Sequence, residues 1–259
     1  MPKLAANLSM MFNEVDFLDR FAAAAKAGFK GVEYLFPYDY DKHILKQNLV
    51  ENKLIQVLHN LPAGNWAAGE RGIGCHRDRI AEFESGIDKA IEYATILGCK
   101  QVNCLAGVRP PGQDPIDARA TFIKNLQFAA PRLKTAGIML LIEPINTRDI
   151  PGFFLTNTSQ AIDIIKAVGS DNVFLQYDIY HMQIMEGDLS PTIERNFKMI
   201  PHMQLADTPG RHEPGTGEIN YNFLLAHIDK IGYKGWIGCE YKPAGNTVDG
   251  LGWTKPYLE

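Results

Sequence analysis

The sequence predicts an α/β protein folded as one (β/α)8 TIM barrel. Eight short apolar runs alternate with amphipathic segments along the chain, and eight such pairs are the number that closes a barrel. The length of 259 residues is typical of this fold. A doubly wound sheet is the rival, but NLSMMFNE, which follows the first run, contains no glycine-rich phosphate loop.

The strands are predicted from apolar runs, several of which are continuous rather than alternating. Continuous runs are typical of strands that are covered on both faces. In the fifth run, for example, Met139 to Ile142 are all apolar and Glu143 follows them directly. The predicted strands span 3–8, 31–35, 55–61, 101–107, 139–145, 173–180, 201–207 and 236–241.

Helices are predicted between the strands, where apolar residues recur at helical spacing. Gly28 and Gly98 can end two of them, and Ser190-Pro191 is a typical helix start. The predicted helices span 14–27, 41–52, 79–97, 115–135, 158–168, 190–199 and 221–231. After the eighth strand, GNTVDGLGW predicts only a short irregular segment. No linker divides residues 1–259, so we expect a single domain.

Charge and cysteine usage restrict the class of protein. The formal charge is −4 and the basic residues are spread along the chain, which argues against a nucleic-acid partner. No signal peptide follows MPKLAANL, and no apolar run approaches the ~18 residues of a membrane span, so we expect a cytoplasmic protein without a membrane partner. The four cysteines lack CxxC spacing, which favours free buried thiols. Nothing in the sequence specifies an oligomeric state.

Polar side chains lie near the carboxyl ends of the last four predicted strands, and they are Glu143, Asp178, Gln204 and Glu240. Because the carboxyl ends of neighbouring strands meet at the mouth of a barrel, we expect these groups to converge. Three adjacent carboxylates repel one another unless a cation lies among them, and oxygen ligands suit Mg²⁺ or Mn²⁺. A solvated rim residue is the alternative for each, but four in succession favour a metal site.

Other polar residues near strand ends are weaker candidates. His59, near the end of the third strand, and His181, in YDIYH, are candidates to bind substrate. His202 lies one layer below the end of the seventh strand, and we expect it to be structural. Glu33 is in mid-strand, and it either points into the mouth of the barrel or pairs structurally.

Two glycine-containing loops border the predicted mouth. TPGRHEPGTGEINY (208–221) contains Arg211, which can hold a substrate carboxylate with its forked guanidinium. Lys242 is a further candidate for binding the acid end, with a solvated rim lysine as its alternative. PAGNWAAGERG (62–72) can act as a lid. An ordinary mobile loop is the alternative for either segment.

Several motifs, taken together, resemble one known family. They are AANLSMMF, LPAGNWAAGERG, LIEPIN, QYDIYHMQ, HMQLAD, PGTGEINY and EYKPAGNT with GLGW after it. This combination is similar to the hydroxypyruvate isomerase family of the xylose-isomerase-like TIM barrels, which includes the 2-oxo-tetronate isomerase branch. The resemblance runs from about residue 4 to residue 257.

The resemblance implies an activity and roles for particular residues. In that family the metal ligands match Glu143, Asp178, Gln204 and Glu240, and the two glutamates are the proposed proton donor and acceptor. The wider superfamily often has histidine at the position of Gln204, which favours the hydroxypyruvate-type branch. The family shifts a carbonyl in a small oxo acid through an enediol, in the catabolism of carbohydrate acids.

Other functions stay open at this point. A ketose 3-epimerase of the same superfamily would use the same enediol but return the proton to the opposite face of the same carbon. A non-catalytic barrel that binds sugar acids would show no metal-dependent turnover. A metal-dependent abasic-site endonuclease would need more histidine ligands and a basic groove, and neither is visible in the sequence.

Overall fold

The computed structural model describes residues 1–258, which form a closed barrel of parallel strands surrounded by helices. The strands are β1 (Lys3–Asn7), β2 (Gly31–Glu33), β3 (Ile55–Asn60), β4 (Gln101–Cys104), β5 (Met139–Ile142), β6 (Val173–Asp178), β7 (His202–Leu205) and β8 (Trp236–Cys239). The helices are α1 (Arg20–Lys26), α2 (Lys42–Glu51), α3 (Ile80–Leu97), α4 (Pro115–Thr135), α5 (Thr158–Val168), α6 (Ile179–Met185), α7 (Leu189–Asn196) and α8 (Tyr221–Lys230). Each strand pairs with its neighbours in sequence and β8 closes on β1, so the predicted (β/α)8 barrel is confirmed.

The apolar core lies mainly between the barrel and the helices. Outward-facing strand residues such as Leu140 and Ile142 belong to this layer. A smaller cluster fills the barrel interior beneath the strand ends, and it consists of Ala5, Val57, Leu58 and Leu141. Because side chains alternate along a strand, Leu141 and Glu143 share the inner face, and this brings the Glu143 carboxylate to the C-terminal end of the barrel.

The sixth strand is shorter than predicted. A strand over 173–180 was expected, but β6 ends at Asp178 and helix α6, which the sequence pattern did not predict, begins at Ile179. The cause is Asp178 itself, whose Oδ1 accepts the backbone N–H groups of Tyr180 (2.7 Å) and His181 (3.2 Å). Such an acceptor satisfies the first free N–H groups of a helix. The sequence YDIY, whose residues mostly favour a strand, therefore contains the N-cap of a helix.

The other elements follow the predicted ranges, mostly with shorter ends. The predicted start of the first helix is wrong, because residues Phe17–Asp19 form a 3-10 turn and α1 begins only at Arg20. The predictions 115–135 and 158–168 coincide with α4 and α5, which Asp114 and Asn157 cap. No helix within residues 1–258 is long and apolar enough to cross a membrane.

The segment after β8 ties the end of the chain to its beginning. It forms a 3-10 helix over Val248–Thr254, which is short and irregular as predicted. Just before it, Thr247 Oγ1 accepts the backbone N–H of Phe12 (2.7 Å) and donates to Glu14 Oε2 (3.1 Å). These contacts connect the loop after β1 to the C-terminal segment.

A buried pair of polar side chains lies in the barrel interior beneath the strand ends. Oε2 of Glu33 lies 2.8 Å from Nε2 of His202, and both residues are buried. Oε1 of Glu33 accepts hydrogen bonds from the amides of Asn7 (3.0 Å) and Gln204 (2.8 Å). These partners offset the cost of burying a carboxylate. Both roles considered for Glu33 are observed, because it pairs structurally and also lines the cavity at the mouth of the barrel. Gly238 leaves room for the pair, because a Cβ there would lie 2.3 Å from Glu33 Oε1.

We expect Gly238→Ala to destabilise the fold. The added methyl group would overlap the Glu33 carboxylate, which is held in place by His202 and two amides. Overpacking of a buried position typically costs ~1–3 kcal/mol, so the midpoint of urea unfolding should fall. Gly245→Ala is the control, because a Cβ at that position has no heavy atom within 4 Å. Equal stability of the two variants would contradict this account.

Candidate active site

A cavity of about 580 Å³ opens at the C-terminal ends of the strands. Glu143, Gln204 and Glu240 line it, and so does His181. Asp178 is fully buried beside them. The structure thus brings together the four polar residues predicted near the ends of the last four strands, and it places His181 beside them.

Three carboxylates and one imidazole form a compact cluster in this cavity. One ligand atom from each of Glu143, Asp178, His181 and Glu240 lies within 4.8 Å of the others, and all four residues are buried. Carboxylate oxygens suit a hard divalent cation, and imidazole nitrogen suits several metals. A group with this spacing and chemistry can hold a metal ion.

Glu143 follows β5 directly and is held by an amide from the neighbouring strand. Nδ2 of Asn103 donates to Glu143 Oε2 at 2.8 Å and to Oδ1 of Asn60 at 3.1 Å. Burial raises the pKa of Glu143, and nearby carboxylates, above all Glu240, raise it further. The carboxylate is therefore costly to ionise unless positive charge is added nearby.

Glu240 follows β8 and forms an ion pair within the cavity. Its Oε2 accepts a hydrogen bond from Arg211 Nη2 at 2.8 Å, and its Oε1 accepts one from Asn7 Nδ2 at 3.4 Å. Burial raises the pKa of Glu240 as well, and the Arg211 guanidinium opposes that rise. A divalent cation next to Glu143 and Glu240 would favour the ionised form of both.

Asp178 presents one oxygen that no hydrogen bond satisfies. Its Oδ1 caps α6, whereas Oδ2 is buried and has no hydrogen-bond partner among residues 1–258. The nearest basic groups are the imidazole of His181, with Nε2 at 3.6 Å, and the guanidinium of Arg211, with Nη2 at 3.9 Å. A buried oxygen without a partner is costly, and a bound cation removes that cost. The residues present therefore fit a divalent metal ion.

Gln204 lies on the wall of the cavity with its amide held in one orientation. Its Nε2 donates to Glu33 Oε1 at 2.8 Å, and its Oε1 accepts from Gln176 Nε2 at 2.6 Å. The amide oxygen retains a second lone pair. Because Glu33 is in turn held by His202, the deeper histidine supports the orientation of Gln204. This placement agrees with the structural role expected for His202.

His181 lies on the first turn of α6, and its ring is oriented by Asn146. Oδ1 of Asn146 accepts the backbone N–H of Asp149 (2.7 Å), which turns the NH₂ group toward His181 Nδ1 (2.6 Å). Nδ1 is then the acceptor, so the proton of the neutral ring is on Nε2. Burial lowers the pKa of His181 to about 4, which keeps the ring neutral near pH 7. His181 thus presents an N–H donor to the cluster rather than a lone pair.

Arg211 reaches the cluster from the loop after β7. Its guanidinium lies 2.8 Å from Glu240, 3.5 Å from Asp149 and 3.9 Å from Asp178. The backbone of Arg211 has a φ of 55°, a conformation that residues other than glycine rarely adopt. Such a conformation persists only where the surrounding structure imposes it.

Asp207 organises the loop after β7. It is buried, and its two oxygens accept the N–H groups of Thr208 (3.0 Å), Gly215 (2.9 Å), Gly217 (2.9 Å) and Ile219 (3.1 Å). Glycine is required at 217, because a Cβ there would lie 2.1 Å from the carbonyl oxygen of Thr208. One carboxylate therefore gathers the two ends of this loop, a role that the sequence analysis did not assign to it.

His59, a candidate for substrate binding, is not brought to the cavity. Leu58 and Asn60 line the cavity, so His59 between them faces outward, toward the helices. Its Nδ1 lies 3.0 Å from the carbonyl oxygen of Asn60 and 3.4 Å from the hydroxyl of Tyr38. Burial lowers the pKa of His59 to about 4. The structure places it as a neutral histidine outside the site.

Two asparagines that the sequence analysis passed over support the glutamates. Asn103 of β4 holds Glu143, and Asn7 of β1 holds Glu240. A signal was available, because each is a polar residue near the end of an apolar run, in QVNCLAG and KLAANL.

Comparisons with known proteins find relatives of the same length. A family profile described as "Xylose isomerase-like TIM barrel" matches residues 21–257. A protein of Escherichia coli K12 named hydroxypyruvate isomerase is 54% identical over 99% of this chain and 100% of its own length. A 2-oxo-tetronate isomerase of Cupriavidus necator is 49% identical over 100% of this chain and 99% of its own. A crystal structure described as an AP endonuclease, family 2, from Brucella melitensis is 47% identical over 100% of both chains, with a TM-score of 0.98.

We expect Asp207→Ala to destabilise the protein, because four backbone N–H groups lose their acceptor. Loss of hydrogen bonds to a charged group costs ~1.5–3 kcal/mol, which urea unfolding followed by circular dichroism would detect. Glu218→Ala is the control, since this exposed carboxylate of the same loop accepts one hydrogen bond, from Gln183 (3.3 Å). If Asp207→Ala proved as stable as the control, Asp207 would not organise the loop.

Proposed function

The chain belongs to the xylose isomerase-like TIM barrel family, and we propose that it is an isomerase that moves a carbonyl group between neighbouring carbons of a small oxo acid. Relatives named hydroxypyruvate isomerase and 2-oxo-tetronate isomerase match nearly its whole length at 54% and 49% identity, which confirms the resemblance seen in the sequence. The single observation that carries the chemistry is the cluster in which the buried carboxylates of Glu143 and Glu240 lie in one cavity, within 4.8 Å of each other.

We assign a divalent cation, Mg²⁺ with Mn²⁺ as the alternative, to Glu143, Asp178, Gln204 and Glu240. The unpartnered oxygen of Asp178 and the raised pKa values of the two glutamates support this assignment, because a dication compensates all three carboxylates. His181 is left out of the ligand set because its Nε2 carries a proton. When bound, the ion would polarise the substrate carbonyl and stabilise developing negative charge.

Glu143 and Glu240 are the proposed proton-transfer groups. One removes a proton from the carbon that bears the hydroxyl, an enediol forms, and the other delivers a proton to the former carbonyl carbon. The hydroxyl proton passes to the former carbonyl oxygen, so the product is an isomer of the substrate. Because the reaction runs both ways, each glutamate is a base in one direction and an acid in the other. Asn103 and Asn7 hold the two carboxylates in place.

His181 and Arg211 are the proposed substrate-binding residues at the reacting end. The Nε2–H group of His181 can donate to a substrate oxygen. Arg211 balances the charge of Glu240 and Asp149, and this pairing argues against the sequence-based idea that it holds the acid end of the substrate. His59 is not included, because it faces the helices.

The proposed substrates are hydroxypyruvate, which would give tartronate semialdehyde, and 2-oxo-tetronate, which would give 3-oxo-tetronate. Both molecules carry a carboxylate, a 2-oxo group and a hydroxyl on the next carbon, and they differ by one carbon. The names of the two relatives cover both reactions. We also place the protein in the cytosol, which its four free, buried cysteines support.

A substrate screen tests the proposed function. The protein is stripped with EDTA, reloaded with Mg²⁺ or Mn²⁺ and offered three- and four-carbon oxo acids in D₂O, and the products are identified by NMR. We expect the carbonyl to move to the neighbouring carbon only in the metal-loaded protein. A change of configuration without carbonyl movement would favour a ketose 3-epimerase. Absence of any turnover would favour a binding protein, and cleavage of abasic-site DNA would contradict the proposal.

Replacement of either glutamate by glutamine should strongly reduce turnover. Glu143→Gln and Glu240→Gln keep the side-chain shape but remove the proton-transfer group, so kcat should fall by ~10²–10⁴-fold while the circular dichroism spectrum is unchanged. Glu218→Gln, at an exposed position of the loop after β7, is the control and should keep full activity. Near-normal turnover in either variant would refute the role of that glutamate.

A further inference from the structure

We infer that Arg71, on the loop 62–72 after β3, binds the substrate carboxylate and thereby selects oxo acids over neutral ketoses. This inference rests on the proposed function and assigns a role to a residue that the mechanism above does not use. Arg71 lines the same cavity as Glu143 and Glu240. Arginine or lysine lines that cavity at two other positions within residues 1–258, Arg211 and Lys242, and each is a poorer partner for an acid.

Arg211 is already engaged by carboxylates of the protein. Its guanidinium lies 2.8 Å from Glu240, 3.5 Å from Asp149 and 3.9 Å from Asp178. A substrate carboxylate placed there would have to compete with Glu240 and Asp149 for the two terminal nitrogens of the guanidinium. Arg211 therefore offsets charges of the protein itself.

Arg71 forms no ion pair with a carboxylate of residues 1–258, and the backbone of its own loop holds its guanidinium. Nη1 donates to the carbonyl oxygens of Trp66 (3.1 Å) and Glu70 (2.8 Å). The guanidinium carbon lies 4.4 Å from the centre of the Trp66 ring. These contacts leave the edge formed by Nε and Nη2, and that edge matches the two oxygens of a carboxylate. Because the side chain is held before binding, it loses little freedom on binding.

The nearest acid in the chain, Glu70, is engaged elsewhere. Its carboxylate pairs with Arg79 and accepts the backbone N–H of Asn65. The hydrogen bond between the two residues uses the main-chain carbonyl of Glu70 rather than its carboxylate, so the negative charge of Glu70 is not directed at the guanidinium. The loop therefore places Arg71 at the cavity, while the carboxylate of Glu70 pairs with Arg79.

Position in the barrel also favours Arg71 over Lys242. The loop that carries Arg71 follows β3, which lies opposite β7 in the ring of strands, whereas the carboxylate cluster lies on the side of β5 to β8. An acid held by Arg71 can thus direct its reacting carbons across the cavity toward the glutamates. The side chain of Lys242 is exposed. A lysine ammonium is strongly hydrated and sits on a flexible chain, so it cannot bind both carboxylate oxygens with the fixed geometry of a guanidinium.

Arg71→Met and Arg77→Met form a matched pair of variants that tests the inference. Arg71→Met removes the charge but keeps an extended chain against Trp66, and Arg77→Met makes the same change on an exposed arginine that does not line this cavity. KM for whichever oxo acid the wild type converts should rise ~10–100-fold in Arg71→Met, the loss expected for a charged hydrogen bond, with kcat changed much less. Arg77→Met should match the wild type, and Arg71→Lys should recover part of the loss.

Two further measurements separate this inference from the proposed function. Tartronate has a carboxylate on each side of a hydroxymethine carbon and no keto or aldehyde group to isomerise. Its dissociation constant, measured by calorimetry, should increase by a similar factor in Arg71→Met alone. Dihydroxyacetone has a hydroxymethyl group in place of the carboxylate of hydroxypyruvate, and it should inhibit wild type and variant equally.

Several results would overturn the role of Arg71. One is that KM and the affinity for tartronate are unchanged in Arg71→Met. Another is that inhibition by dihydroxyacetone weakens in Arg71→Met as much as binding of the acids does. A third is that Lys242→Met loses affinity for the acids while Arg71→Met does not. If the wild type converted no oxo acid, the proposed function would fail, and the tartronate titration would still decide whether Arg71 binds the acid.

Discussion

The burial of three carboxylates in one place is the constraint on which the rest of the site depends. Glu143, Asp178 and Glu240 meet there because neighbouring strands end there, and burial opposes the charge of each. Arg211 supplies one positive charge, asparagine amides supply hydrogen bonds, and one oxygen of Asp178 is left without a partner. A divalent cation would complete this balance, so the proposed ion would both stabilise the site and support the proposed chemistry.

Residues around the cluster hold it in position. Below it, Glu33 and His202 orient Gln204, and the absence of a side chain at Gly238 makes room for them. Above it, Asp207 shapes the loop that carries the guanidinium. Groups that are oriented before the substrate arrives need little reorganisation in the transition state, which is what proton transfer at carbon requires.

Much of the fold could be predicted from the sequence, because buried parallel strands read as apolar runs and a carboxylate at the end of such a run stands out. Glu143 is the clearest case. The predicted end of the sixth strand was wrong because Asp178 is both the last residue of β6 and the N-cap of α6, and these two roles look alike in sequence. His59 was misplaced because adjacent residues of a strand face opposite sides, and with polar residues at both 59 and 60 the run IQVLHNL does not reveal which of the two faces the inside.

The sequence by itself therefore determined the order of the strands and the chemical groups at their ends, since both follow from local pattern. Only the tertiary structure decided which groups became partners. Asn103 donates a hydrogen bond to the glutamate that follows the next strand, and Asn146 determines which nitrogen of His181 carries the proton. Arg211 pairs with carboxylates of the protein, whereas Arg71 is bonded to backbone carbonyls. The physical reason is that hydrogen bonds and ion pairs depend on distances between atoms far apart along the chain. Local propensity carries no information about those distances, and closure of the barrel sets them.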